Sequence, residues 1–380
     1  MSFRRFLYLV AEDAVDCSYS LRRIDMSRLF RQFTRGETLD GGGGAAGATV
    51  LSAIPDAGPL PEPMISLCGP RKKNSPGLMD FVLFKNTGTS GQLQLGKHKV
   101  VAMNRITGGA VMCDPDVPPS IRALPSVTTP KHVRPLYLTA GDGRLYIMKL
   151  FPVPANGCNR HSFEVLSYEN AGSLSYKDWC WHPLPPPTYV YGGPRDPGHL
   201  VESHALAAGG EGILVSNKAG HTYRYNTATR AWAKAGDWAM PFTGLAEHVP
   251  EHGGLLFGLS TLGNGYCFCA ASVAAAAGGD PETPPAVRGA WREYVPSLGW
   301  SLVWSEAVHL GSSRFCLVRF FEIVNERICP KSRRPYNSID AYQVVLTGVE
   351  VKSHGGEELH VVNHKSELYK LDHGVTYQVL

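Results

Sequence analysis

The chain has 380 residues, 43% hydrophobic and 18% charged, with a net charge of only +4. These figures exclude a disordered chain, a collagen and a small disulfide-stapled domain, and they leave ample apolar material for a core. Gly (41) and Pro (28) are abundant, so turns punctuate short elements, which argues against a helical bundle or coiled coil.

In chain order, β-rich runs recur at 6–12, 19–25, 81–84, 100–104, 109–113, 135–140, 144–150, 163–168, 213–217 and 222–226. They continue at 255–260, 266–270, 302–307, 315–323, 342–351, 358–363 and 367–370. Val, Ile, Leu, Tyr and Phe dominate many of them, residue types that suit a pleated, half-buried surface. Long 3.6-residue periodicity is absent; the one short helical candidate is 272–277.

Repetition organises these runs. After the strand at 222–226, a tight polar turn separates Tyr225 from Trp232, seven positions on. Tyr and Trp on adjacent antiparallel strands would fill the space between stacked sheets, the pattern of a kelch-type blade. Looser copies end in strands that begin near 121, 181 and 291. Residues 301–351 make a fifth blade, and 358–371 meet 6–25 in a sixth. The expected fold is therefore all-β: a β-propeller of about six four-stranded kelch-like blades, closed by pairing of N- and C-terminal strands and forming one domain over 1–380. Inserts are expected at 31–79, 152–162, 169–178, 185–200, 271–290 and 324–338, with 41–49 and 54–63 as flexible linker.

The segments FRRFLYLVAE, YSLRRIDMSRLF, WHPLPPP, LTGVEV and VVNHKSELY resemble a plant family found mainly in grasses, a domain of unknown function. The blade pattern is similar to plant kelch and F-box-associated propellers. The resemblance implies a propeller and brings no activity or catalytic residue with it. F-box-associated relatives carry an N-terminal adaptor-docking module; with the first strand expected from residue 6, that module is not expected here.

The chemistry-bearing residues read mostly as structural. Cys267 and Cys269 alternate on one strand and point to the same side, as small core residues do. Glu247-His248-Val249-Pro250-Glu251-His252 holds metal-binding residue types, but Pro250 prevents the helix a metalloprotease needs, and a β-turn is expected. His360 and His364 read as structural or surface histidines on a hairpin turning at 363–365. Gly41–Gly44 lacks the Lys-Ser/Thr of a phosphate loop, Gly263-Asn264-Gly265 is a hairpin turn, and no Gly-x-Ser-x-Gly elbow occurs. Asp114, Asp142 and Asp237 read as turn caps. No cofactor and no metal are expected.

The basic clusters Arg71-Lys72-Lys73 and Lys331–Arg334 read as solvated loop charge, with a nuclear-import signal as the lesser reading. No basic stripe marks a nucleic-acid partner, and no apolar run approaches the length of a membrane span. Nine scattered cysteines, an odd number, and no N-glycosylation acceptor fit free thiols in the cytoplasm or nucleus. Tyr189, Tyr191, Trp238, Arg333, Arg334 and Tyr336 lie in or beside inserts and are the expected anchors for a protein partner of unknown identity. The expectation is a monomeric, non-catalytic interaction scaffold. Its alternatives are a pore-centred enzyme of the kelch-like oxidase or glycosidase type, or ubiquitin-ligase substrate recognition with the adaptor in trans.

Overall fold

The computed structural model describes residues 3–13, 18–30, 48–68, 78–85, 98–115, 119–131, 135–140, 143–154, 161–170, 176–191, 196–260, 266–274, 280, 283–354, 358–372 and 375–380. Among these the chain forms strands and short 3-10 turns, with no α-helix.

The strands follow one another in antiparallel groups of four. The first group contains β1 (Phe6–Asp13), β2 (Ser18–Asp25) and, after the outlying β3 (Thr49–Val50), β4 (Pro63–Cys68). The second is β5 (Met79–Lys85), β6 (His98–Asn104), β7 (Ala110–Asp114) and β8 (Ser120–Leu124). The third is β9 (Leu136–Thr139), β10 (Leu145–Met148), β11 (Phe163–Asn170) and β12 (Lys177–Leu184). The fourth is β13 (Val201–Leu206), β14 (Gly212–Asn217), β15 (Thr222–Asn226) and β16 (Ala231–Gly236). The fifth is β17 (Thr243–Val249), β18 (Leu255–Ser260), β19 (Cys267–Ser272) and β20 (Ala286–Trp291). Parallel pairing of β13 with β17 joins the fourth and fifth groups into one eight-stranded sheet.

Then β21 (Tyr294–Val295) pairs with β3 in a two-stranded ribbon. The sixth group is β22 (Trp300–Gly311), β23 (Arg314–Ile328), β24 (Pro335–His354) and β25 (Glu358–Leu371). Last, β26 (Val375–Val379) returns to pair with β1, completing the first sheet in the order β26-β1-β2-β4.

No single core holds these groups. Each packs on the next through its own apolar cluster, so inner strands such as β6 are buried on both faces. Tyr8 and Val10 of the first group meet Phe81 and Val100 of the second. Phe84 and Met112 meet Ile147 and Trp179 of the third, and Phe163 and Leu184 meet Ile213 and Tyr225 of the fourth. Leu214 meets Leu256 of the fifth, Phe257 and Phe268 meet Phe315 and Leu317 of the sixth, and Val318 and Leu346 meet Leu7 and Leu9 of the first.

The Tyr–Trp pattern has the expected geometry. Tyr225 and Trp232 stand directly opposite across β15 and β16, their ring centroids 5.2 Å apart. Both pack on Phe163 of the third group, at 4.9 and 5.7 Å. Truncating Trp232 to Ala empties this junction and is expected to cost about 3–5 kcal/mol, measurable as a lower urea midpoint at unchanged slope.

Several expectations are corrected. Residues 358–371 do not pair with 6–25; they form β25, paired with β24, and β26 pairs with β1 instead. No turn occurs at 363–365, because a register shift in the β24–β25 ladder lets the polar stretch continue as strand. Residues 247–249 belong to β17, and only Pro250–His252 turns, as a 3-10 element. Residues 54–63 are not free linker: Ile54 and Leu51 are buried against Tyr294 and Phe321, and Arg22 donates to the Pro61 carbonyl at 2.7 Å. The expected insert 324–338 is instead the far end of the long β23–β24 hairpin. Asp114 also pairs with buried Lys99, and Asp237 with Lys234 and His221, ion pairs that the turn-cap reading did not include. Residues 41–44, 71–73, 142 and 263–265 lie outside the described residues.

Candidate functional site

The strands β5, β9, β13, β17, β22 and β26 each lie at one edge of their four-stranded group. Side-chain and backbone bonds link several of them. Gln378 of β26 donates to the Phe81 carbonyl of β5 at 2.7 Å, and Thr139 of β9 donates to the Leu83 carbonyl at 2.9 Å. The Arg4 amide, just before β1, donates to the Leu310 carbonyl of β22 at 2.5 Å.

Ionisable side chains from these strands converge. Lys85, at the end of β5, pairs with Glu247 of β17 at 2.6 Å, tying the second group to the fifth past the two between them. Burial alone would raise the Glu247 carboxyl, but Lys85, His309 and Arg4 overcome it and hold the group below its ordinary value. Burial pushes His309 down, against the pull of Glu247. It pushes the Arg4 guanidinium down to about 10, against Tyr8 and Glu247. Arg4 donates to the carbonyls of Phe6 and Leu380, at 2.7 and 2.5 Å. Glu247 is thus a carboxylate whose charged form is favoured by direct contact with Lys85, poorly suited to act as a general acid. Among the described residues no group of three His, Cys, Asp or Glu is placed to hold a metal ion.

His204 of β13 gives the cluster a pH dependence. Burial pushes it down to about 4 from 6.5. The unfolded chain therefore binds more protons than the native one between those values, and stability present above pH 6.5 is lost as pH falls towards 4. At about 1.4 kcal/mol per unit, the full effect is about 3 kcal/mol. His248, His252, His309 and His364 shift in the same direction, each chiefly by burial. Thermal melts are expected to show a midpoint that drops between pH 7 and 5, and a shallower drop in His204→Asn.

The residues anticipated as partner anchors separate into two sets. Tyr189 packs its ring on Tyr223 at 4.7 Å and on His199 at 5.2 Å, and burial raises its hydroxyl pKa. Trp238 is buried in the cluster between the fourth and fifth groups, so it is a core residue. Tyr191, beside Tyr189 in the same 3-10 turn, is exposed. Arg333, Arg334 and Tyr336 are exposed together at the β23–β24 turn. Cys269 sits in the core, its thiol pushed up to about 11 by burial. His364 is buried against Glu350, and His360 is exposed.

The apolar surface adds what residue type alone did not reveal. Among the described residues, the exposed large apolar side chains Val295, Leu298, Val303, Ile328, Tyr336 and Ile339 lie in the sixth group or the segment leading into it, while Ile121, Tyr176, Tyr191 and Val287 are exposed elsewhere. Val50, also exposed, pairs with Val295 in the adjoining ribbon. Past the last β22 partner, Trp300↔Ile323, and the last β25 partner, Tyr342↔Leu371, β23 and β24 continue as a two-stranded arm, held at its base by the Val324 amide donating to the Gly299 carbonyl at 2.7 Å.

This architecture is an all-β protein of consecutive four-stranded sheets with its first and last strands paired. The chain belongs to the family described as protein of unknown function (DUF1668), which matches residues 4–369. No curated protein matches it. Among solved structures it is similar to an auxiliary nutrient binding protein from Bacteroides ovatus, at 8% identity and TM-score 0.36, over 70% of this chain and 53% of that one. The chain therefore spans about half the length of that protein. It is also similar to the Cps50 (Swd1) β-propeller domain of Myceliophteria thermophila, at 11% identity and TM-score 0.31, over 75% of this chain and 99% of that one.

Proposed function

We propose that the chain is a non-catalytic β-propeller of six kelch-like blades, closed by pairing of β1 with β26, and that it binds a partner protein. The cyclic series of apolar clusters and the β1–β26 ladder support the ring. The observation that carries the binding role is the concentration of exposed apolar side chains on the sixth group and its ribbon. Exposed apolar patches on soluble proteins mark interaction sites, and a rigid sheet presents them at low ordering cost. The free cysteines among the described residues suit a reducing compartment, and we place the protein in the cytoplasm or nucleus.

The test is affinity capture of the tagged full chain, read by mass spectrometry beside Leu298→Asp/Tyr336→Ala. Specific partners lost with the variant are the expected result. No specific partner on the wild-type chain, or an identical set on the variant, contradicts it.

A further inference from the structure

We propose that the β23–β24 arm is the docking element, and that it takes an acidic, apolar-studded segment of the partner protein; this rests on the protein-binding reading above. The arm has five paired positions, from Val324↔Ile339 to Ile328↔Pro335. A two-stranded ribbon alone in water is marginal, so one that projects past its sheet gains from being covered.

Its two faces differ because side chains alternate along a strand. One face carries Asn325, Arg327 and Ser338, all bonded to the Asp340 carboxylate at 2.7, 2.7 and 3.2 Å. That network braces the arm from one side and neutralises Arg327. The other face presents Val324 and Ile328 opposite Ile339 and Pro335, with Ile328 70% and Ile339 41% exposed.

The tip is cationic. Lys331, Arg333 and Arg334 are exposed, and residues 327–339 contain no acid. The turn is held by the Cys329 amide donating to the Arg334 carbonyl at 3.0 Å and the Arg333 amide to the Cys329 carbonyl at 2.9 Å.

Charge and apolarity together select the occupant. Two such tips repel each other, which disfavours a second copy of the chain. Nucleic acid would match the tip but leave the isoleucines uncovered and set phosphate against Glu326, on the apolar face. An extended segment alternating Asp or Glu with Leu or Val satisfies both features: carboxylates on the Lys331–Arg334 tip, where complementary charge steers association, and apolar side chains on Ile328 and Ile339.

The test is fluorescence anisotropy of a labelled peptide alternating Asp with Leu, titrated with the full chain, beside the counterpart with Lys for Asp. The acidic peptide is expected to bind and the basic one not. Arg333→Glu/Arg334→Glu and, separately, Ile328→Asp are each expected to weaken binding by about tenfold or more, with thermal midpoints unchanged because the sites are exposed. Equal binding of the two peptides, wild-type affinity in the arm variants, or displacement of the peptide by a single-stranded RNA oligonucleotide overturns the assignment. Partners captured equally by wild type and arm variants refute the arm while leaving the protein-binding reading standing. A wild-type chain that captures none refutes both.

Discussion

Replacing Glu293 by Ala is expected to lower the unfolding free energy by about 3–5 kcal/mol, because it strands a buried cation. Arg319 of β23 is fully buried, and its Nε and an Nη donate to the two Glu293 oxygens at 2.6 and 2.9 Å. The guanidinium carbon also lies over the Tyr294 ring, 5.5 Å from its centroid. Glu293 sits between β20 and β21, so the pair fastens the ribbon connection to the sixth group. Paired removal, Arg319→Met with Glu293→Leu, leaves no unpaired charge and is expected to recover much of the loss. Urea unfolding of the two single variants and the double reads this directly. A cost for Glu293→Ala no larger than that of an exposed ion pair would show that the charge is not stranded.

Removing residues 375–380 is expected to abolish cooperative folding. The deletion takes away the ladder from Leu9↔Val379 to Asp13↔Val375. It also removes the reciprocal Tyr8–Leu380 backbone bonds at 3.3 and 2.9 Å, the Arg4 bond to Leu380 and the buried Tyr377 and Val379. A domain of ordinary stability has only about 5–15 kcal/mol to lose, and the exposed β1 edge would invite aggregation. Thermal unfolding followed by circular dichroism is the check. A truncated chain that melts at the wild-type midpoint would show that the fold does not depend on the β1–β26 pairing.

Much of the fold was legible because its strands are apolar and its turns are marked by Gly, Pro, Asn and Asp. The strands read as closing near 121, 181 and 232 correspond to β8, β12 and β16, each the fourth strand of its group, whereas the one read as starting at 291 was misplaced: β20 ends at Trp291, and Tyr294–Val295 form the separate ribbon strand β21. Among the strands that escaped were β4, β13, β17 and β26. Val201–Leu206 and Thr243–Val249 mix His, Glu, Ser and Gly into their runs, so their apolar alternation is weak. These strands bring His204 and Glu247 to the ionisable cluster, and the polar side chains that make the site blur the strand signal. Lys85, Glu247 and His309 are also far apart in sequence and share no motif, so only the fold brings them together.

The anchor residues show the same limit in another form. Trp238 in a turn-rich stretch reads as exposed, yet it folds back over Gly236, where a Cβ would lie 2.0 Å from its Nε1. The absent side chain two residues away makes room for the ring, which residue type alone does not reveal. Arg333, Arg334 and Tyr336 were legible as exposed, but the arm that carries them was not. Residues 324–338 alternate charge with Ile, Asn and Ser across two prolines, which reads as loop until the β23–β24 register is known.

The most direct test of the binding account is site-specific photo-crosslinking in cells. A benzoylphenylalanine is placed at Tyr336 or, in a separate chain, at Tyr191, both exposed, the first on the sixth group and the second in the 3-10 turn between the third and fourth. Crosslinked products are identified by mass spectrometry. A discrete set of proteins joined through position 336 and absent from position 191 is the predicted result. No crosslinked protein at position 336, or the same products from both positions, would contradict a partner surface on the sixth group.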